Sequence, residues 1–214
     1  MNIEQKIKNR KPDIRHLYDM KEVIYDKEWL KTASNTELYY MYRSVKKKNG
    51  LVYDITVIPP RMLGQEFIKT KGHEHYQGTF QELYIVLKGQ AIFLAQKQKR
   101  GKVEEDKSSS PPFADAREIE DVFAVQAKKG EVVIIPEHYG HVTINPSQEI
   151  LEMANWVDEK CKGVYDLFEK MQGACYYYTQ SGWLKNKNYK QVPELRFEKP
   201  LKSIPSNLNF LKHD

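Results

Sequence analysis

The sequence predicts an all-β fold, a barrel or sandwich of short strands, and two observations lead there. From Glu37 onward the chain is a succession of short runs rich in Val, Ile, Tyr and Phe. The runs are separated by frequent turn signals, among them Asn49-Gly50, Pro59-Pro60, Lys88-Gly89, Lys129-Gly130 and Asn145-Pro146. Many short strands with many turns build a sandwich or a barrel.

In chain order, "MKEVIYDKEWLK" reads as a short helix packing on the outside of the barrel. The strands follow: "ELYYMYRSV", "LVYDITVI", "EFIKT", "ELYIVL", "AIFLAQ", "VFAVQA", "EVVIIP", "HVTIN" and "ILEMANW". Asn49-Gly50 is the strongest hairpin signal, because both residues tolerate the positive φ of a type I′ turn. Residues 97–121, with a Ser-Ser-Ser-Pro-Pro tract among many charges, read as an exposed and partly mobile excursion between two strands. After Trp156, "VYDLFEKMQG" has one helical apolar face and a C-cap glycine at Gly173. The last forty residues, broken by Pro193, Pro200 and Pro205, read as an extended wrap. The expected organisation is one domain over 1–214. Its barrel core covers about 37–157, with an N-terminal extension over 1–36 and a C-terminal helix and wrap over 158–214.

The chain has 214 residues, 40% hydrophobic and 29% charged, which suits one domain with a substantial core. Lys and Arg number 34 against 29 Asp and Glu, but the basic residues are scattered among acidic ones. That pattern argues against a nucleic-acid face and is compatible with an anionic small-molecule substrate. No apolar run approaches the roughly 20 residues that span a bilayer, so no membrane partner is expected. Only Cys161 and Cys175 occur. The expectation is a soluble cytoplasmic protein with free thiols.

His73 and His75 lie one residue apart, and alternate side chains of an extended segment share a face. Glu82 opens the next strand, and a hairpin-like return through "YQGTFQ" would bring its carboxylate to the two rings. A fourth donor is offered by "PEHYGHVTIN", through His138 or His141. Three imidazoles and a carboxylate suit Fe(II), Mn(II), Ni(II), Co(II) or Zn(II) and leave coordination positions open. Neither cysteine is near this constellation in sequence, which argues against copper-thiolate and iron-sulfur chemistry.

At these residues the chain resembles a cupin. "HEHYQGTFQELYIVLKG" is similar to the first cupin motif, with a longer His-to-Glu gap and with Phe67 at the place of the leading glycine. "GEVVIIPEHYGHVTIN" is similar to the second, with His138 at the place of the central glycine. The longer gap resembles the archaeal-type cupin phosphoglucose isomerases. Their signature is matched by Thr56, Pro60, Gly64, Glu66, Thr70, Gly72, His73, His75, Glu82 and Tyr84. The likeness covers roughly residues 13–165, apart from the charged insertion.

The resemblance implies a double-stranded β-helix, or jelly-roll barrel, with short helices in both extensions, and a homodimer for which the Tyr-rich "ELYYMYR" would serve as an edge strand or as a packed core strand. It implies one divalent metal, Fe, Mn, Ni or Zn, held by His73, His75, Glu82 and His141. Thr56, Thr70 and the backbone of Gly72 would face a sugar phosphate. Glu82 would be the proton-transfer base and Tyr84 a positioning or relay group in the interconversion of glucose 6-phosphate and fructose 6-phosphate, a step of glycolysis and gluconeogenesis. The rival readings are another sugar-phosphate isomerase or epimerase, an Fe(II) cupin dioxygenase, and a metal-dependent sugar-binding module without turnover. Two departures stand out: Trp156 occupies the place of a family tyrosine, and no histidine follows before Tyr165. Lys160 or Lys162 could replace the missing contact as a cationic phosphate partner, although two lysines in an exposed loop are more often simply solvated.

Overall fold

The computed structural model describes residues 7–99 and 118–213. Most of the charged excursion, residues 100–117, lies outside the described residues, and so does the expectation of its mobility. The strands are β1 (Asp13–His16), β2 (Glu37–Lys48), β3 (Leu51–Ile58), β4 (Met62–Leu63), β5 (Glu66–Phe67), β6 (Glu74–His75), β7 (Glu82–Lys88) and β8 (Gln90–Gln98). They continue with β9 (Ile119–Lys128), β10 (Val132–Ile135), β11 (Tyr139–Ile144), β12 (Leu151–Asp158), β13 (Gly163–Val164), β14 (Tyr176–Thr179), β15 (Gly182–Lys185) and β16 (Arg196–Glu198).

A six-stranded sheet in the order β1-β2-β3-β12-β7-β10 faces a four-stranded sheet in the order β11-β8-β9-β16. The chain moves from one sheet to the other between β7 and β8, β9 and β10, and β11 and β12. The turns at Gly89, Gly130 and Asn145-Pro146 therefore connect sheets and close no hairpin, which is the topology of a jelly roll. Asn49 and Gly50 do close one: both have positive φ, 52° and 79°, and Lys48 pairs with Leu51 across a two-residue turn. The Tyr-rich strand is interior, because β1 pairs along its outer side with Asp13 opposite Met41 and Arg15 opposite Tyr39. Its packed-strand reading holds and its edge-strand reading does not.

The main core lies between the sheets, where Val86, Phe93, Val125, Ile144 and Met153 are buried. Strand alternation gives the six-stranded sheet a second apolar cluster on its other face, made by Tyr53, Ile55, Leu83, Ile85 and Ala154, with Trp156 packed beside them and Leu211 of the C-terminal segment buried against them.

The N-terminal helix resolves into a 3-10 segment, Leu17–Val23, and a single α-turn, Lys27–Leu30, capped by Asp26, whose Oδ1 accepts from Trp29 N at 2.9 Å. Leu17, Met20, Val23 and Ile24 are buried in the main cluster, where the 3-10 segment contacts β1 and the helix Asp166–Lys170. The later helix is Asp166–Lys170, shorter than its sequence pattern, because Gln172 and Gly173 have φ of 60° and 126° and Gly173 N returns to Phe168 O at 2.7 Å. Within the last forty residues, β14 and β15 form a hairpin that joins β5 and β4, an element the sequence pattern did not announce. Beyond it the chain runs over the barrel, where β16 pairs in parallel with β9 and Arg196 grips Asp121 through two hydrogen bonds of 3.1 and 2.6 Å. Among the described residues no helix is long and apolar enough to cross a membrane.

Candidate metal centre

The period of two along the six-stranded sheet puts one set of alternate side chains into a single pocket: Tyr39, Met41 and Arg43 from β2, Asp54 and Thr56 from β3, Met153 and Asn155 from β12, Glu82 and Tyr84 from β7. His73 and His75 enter from the segment before and within β6. His141 enters from β11, which makes the site a joint product of both sheets. His73 and His141 are tied through their backbones, His73 N to His141 O at 3.1 Å and His141 N to His73 O at 2.9 Å.

One donor atom from each of His73, His75, Glu82 and His141 lies within 4.8 Å of the others. All three imidazoles turn their Nε2 toward the same oxygen, Glu82 Oε2, at 3.9, 3.2 and 3.3 Å respectively. The other carboxylate oxygen, Oε1, accepts from Asn155 Nδ2 at 2.6 Å. On the far side of His75, Nδ1 is 2.8 Å from the Phe80 carbonyl. A carbonyl only accepts, so Nδ1 carries the hydrogen, and a neutral His75 presents its lone pair at Nε2. The Tyr84 hydroxyl stands 2.8 Å from His141 Nε2, and His141 Nδ1 is buried without a hydrogen-bond partner among the described residues.

This donor set fits a divalent transition metal. The atoms converge, the second oxygen of the carboxylate is held from behind by a buried amide, and one imidazole is fixed in the ligating tautomer by a backbone carbonyl. The charges of the ligand-free protein point the same way. Burial raises the Glu82 carboxyl, but the hydrogen bonds from His141 and His75 outweigh it and hold the group well below the usual carboxylate range. Burial lowers His73, reinforced by His141, and lowers His141 too. His75 goes the other way: against burial, contact with Cys161 and Glu82 pushes it up to about 11. One buried anion is thus balanced by one proton, in a place where a metal cation would take over that charge.

Thr56, Thr70, Gly72 and Tyr84 all line this pocket, together with the four donors. Gly72 has a φ of +80°, and a Cβ there would sit 2.6 Å from Phe168 and 2.8 Å from Val142, so the position admits no larger residue without displacement. The Thr70 hydroxyl accepts from Thr143 N at 3.0 Å and keeps its own hydrogen to donate. Of the two candidate fourth donors the geometry selects His141. His138 is outside the four-donor cluster; it occupies the motif's glycine place with a φ of 69°, and its N–H donates to Gly78 O at 2.6 Å. Glu66 is matched in the signature but sits outside the pocket, in a buried ion pair with Lys69 that also accepts from Tyr25 N.

The departures noted in the sequence have clear places in the structure. Trp156 cannot stand in for a pocket tyrosine, because Asn155 and Val157 take the inward positions and Trp156 points to the opposite face, 4.8 Å from the Tyr53 ring. Tyr165 supplies a pocket aromatic beside Tyr39 and Tyr84, 5.9 Å from the His73 ring. Lys160 and Lys162 line a separate depression with Tyr76 and Phe80, and Lys160 Nζ donates to His213 O at 3.0 Å. Sequence reasoning missed Asn155, Tyr39 and Tyr165. Asn155 had a signal, a lone amide in an apolar strand at the same parity as Met153.

The model of one family, described as Glucose-6-phosphate isomerase (GPI), matches residues 14–194. The glucose-6-phosphate isomerase of Thermococcus litoralis is 32% identical over 144 residues, 65% of this chain and 65% of that protein. That of Pyrococcus horikoshii is 30% identical over 148 residues, 67% of this chain and 68% of that protein. The aligned part of the chain thus spans about two thirds of the length of these curated relatives. Among solved structures, oxalate decarboxylase of Lactobacillus farciminis in a formate complex superposes with a TM-score of 0.40 at 15% identity, covering 70% of this chain and 31% of that one.

Proposed function

The chain belongs to the glucose-6-phosphate isomerase family, and from that premise we propose that it interconverts glucose 6-phosphate and fructose 6-phosphate with one divalent metal, Fe, Mn, Ni or Zn, held by His73, His75, Glu82 and His141. The observation that carries the reading is the convergence of three imidazoles on one oxygen of a buried carboxylate, inside the matched segment. When bound, the ion supplies a Lewis acid for the sugar oxygens on C1 and C2.

The remaining work falls to the chain. Aldose-to-ketose conversion removes the proton from C2 and returns one to C1, while the hydroxyl proton of O2 ends on O1. Glu82 is the base for the carbon-bound proton. Its Oε2 turns toward the substrate while Asn155 retains Oε1, so the carboxylate pivots about a fixed end and stays positioned. Tyr84, whose hydroxyl already shares a hydrogen with His141 Nε2, orients the substrate hydroxyl and relays the oxygen-bound proton. Thr56, Thr70 and the Gly72 N–H supply neutral donors to the sugar phosphate.

The test is interconversion of the two hexose phosphates by metal-stripped protein before and after reloading with Mn(II), Fe(II), Ni(II) or Zn(II), with Glu82→Gln beside it and metal content measured in each sample. Metal-dependent turnover that collapses in the variant supports the assignment, and C2-deuterated substrate should lose its label to water. Label carried intact to C1 together with full turnover in metal-loaded Glu82→Gln would remove Glu82 from the role of base. Absence of turnover in protein that holds its metal would overturn the isomerase reading in favour of a sugar-binding module.

A further inference from the structure

A second depression shares no lining residue with the four-donor pocket. Tyr76, Thr79, Phe80, Lys160, Lys162 and His213 enclose about 390 Å³, within the range of about 300–1,000 Å³ that small-molecule sites occupy. Backbone hydrogen bonds build its walls. Tyr76 N donates to Lys162 O at 2.8 Å and ties the loop before β7 to the segment before β13, while His138 N donates to Gly78 O at 2.6 Å and holds the same loop from the other side. The C-terminal segment closes the remaining side, because His213 N donates to Asp158 Oδ2 at 3.0 Å and Lys160 Nζ donates to His213 O at 3.0 Å.

The lining is cationic and aromatic. None of the six side chains is acidic, and Asp158 turns its two carboxylate oxygens to the backbone N–H groups of Lys160 and His213. Lys162 Nζ makes no ion pair or hydrogen bond among the described residues, and Lys160 uses one of its three ammonium hydrogens on the His213 carbonyl. The Phe80 and His213 rings lie with their centres 5.0 Å apart. Tyr76 beside them is 55% exposed, so a flat ligand finds rings to stack on. The Thr79 hydroxyl oxygen is buried without a hydrogen-bond partner among the described residues, a state that costs free energy until a partner arrives.

We propose that this depression binds a phosphate ester carried on a flat ring, the chemistry of a nucleoside monophosphate. The Lys160 and Lys162 ammonium groups take the phosphate, as point charges that adapt to a tetrahedral anion. The rings of Tyr76 and His213 take the flat body, and the Thr79 hydroxyl supplies a hydrogen bond at the inner end. The site adjoins the metal centre through one residue, since the Phe80 carbonyl faces His75 Nδ1. It uses no side chain of the four-donor pocket, so it stands or falls apart from the isomerase reading.

The test is calorimetric titration of the full, metal-loaded chain with AMP, adenosine and inorganic phosphate. AMP should bind more tightly than either fragment. The Lys160→Met/Lys162→Met double variant and Tyr76→Ala should each weaken AMP about 10- to 100-fold, with metal content unchanged; the three side chains are exposed, so these substitutions leave the core intact. Thr79→Val should weaken AMP about 10-fold while leaving the free protein at least as stable in urea, because it removes an unpaired hydroxyl. Wild-type affinity for AMP in the combined Tyr76, Lys160 and Lys162 variant would put the nucleotide elsewhere and overturn the proposal. Inorganic phosphate as tight as AMP would remove the rings from the site, and adenosine as tight as AMP would remove the lysines. Either result, or no binding of AMP, overturns the proposal as well.

Discussion

Asn155→Leu keeps most of the side-chain volume and removes the donor that holds Glu82 Oε1 at 2.6 Å. A hydrogen bond to a charged acceptor contributes about 1.5–3 kcal/mol, and groups that orient a metal ligand from behind are worth about 10- to 100-fold in metal affinity. At an ion concentration about 100 times the wild-type Kd, the ion stabilises the wild type by about 2.7 kcal/mol. A 100-fold weaker site would retain about 0.4 kcal/mol under the same conditions. For a chain of this length, 1 kcal/mol moves Tm by about 2–4 °C, so the metal-induced rise in Tm should shrink by about 5–9 °C. The assay is a pair of thermal melts, with and without Mn(II), for each protein, together with Kd from competition with a chromophoric chelator. Comparing metal-induced increments cancels any loss that the variant suffers without metal, where Glu82 Oε1 is left unpaired. An undiminished increment and an unchanged Kd would refute the idea that Asn155 fixes the ligating carboxylate.

Glu66→Gln should destabilise the protein by about 3–5 kcal/mol in urea unfolding, because it leaves the ammonium of Lys69 buried without its counter-charge; adding Lys69→Met should recover much of that loss, and a near-neutral single variant would contradict the buried pair. Asp121 is held below its ordinary pKa by the hydrogen bonds from Arg196. A carboxyl lowered in the folded state stabilises above the unfolded value of about 4, and this stabilisation disappears as pH falls through the lower folded value. The wild type should therefore exceed Asp121→Asn in stability at pH 7 and converge with it at acid pH below the ordinary carboxylate range. Stability curves that stay parallel down to that pH would disconnect Asp121 from the C-terminal strap.

Much of the barrel was legible because its information is local. "LVYDITVI" is β3 to the residue, and Asn49-Gly50 is the turn its φ preferences require. Three metal-ligand candidates were likewise written close together, and His141 came from the second motif. What stayed hidden was set by pairing between distant segments. β6 with β13, and β5 with β14, are two-residue or single-residue matches with no periodicity of their own. Parity explains why Trp156 misses the pocket: alignment to a family tyrosine gives a position along the strand, whereas the sheet decides which face that position serves. Tyr39 and Tyr165 are ordinary letters in the sequence, and they reach one pocket only once β2 has joined its sheet and the segment after β13 has folded back.

The backbone bridge between His73 and His141 determines what a bound ion is able to change. Two of the four donors keep their separation through reciprocal amide bonds, a third is anchored by the Phe80 carbonyl and the fourth by Asn155. The socket is finished before it is filled, so it has little freedom to tighten around a small ion or relax around a large one. Such a frame selects by ionic size among borderline divalent metals, whose intrinsic affinities otherwise follow their position in the first row. The order of affinities should therefore depart from that series wherever an ion is too small or too large for the fixed donors.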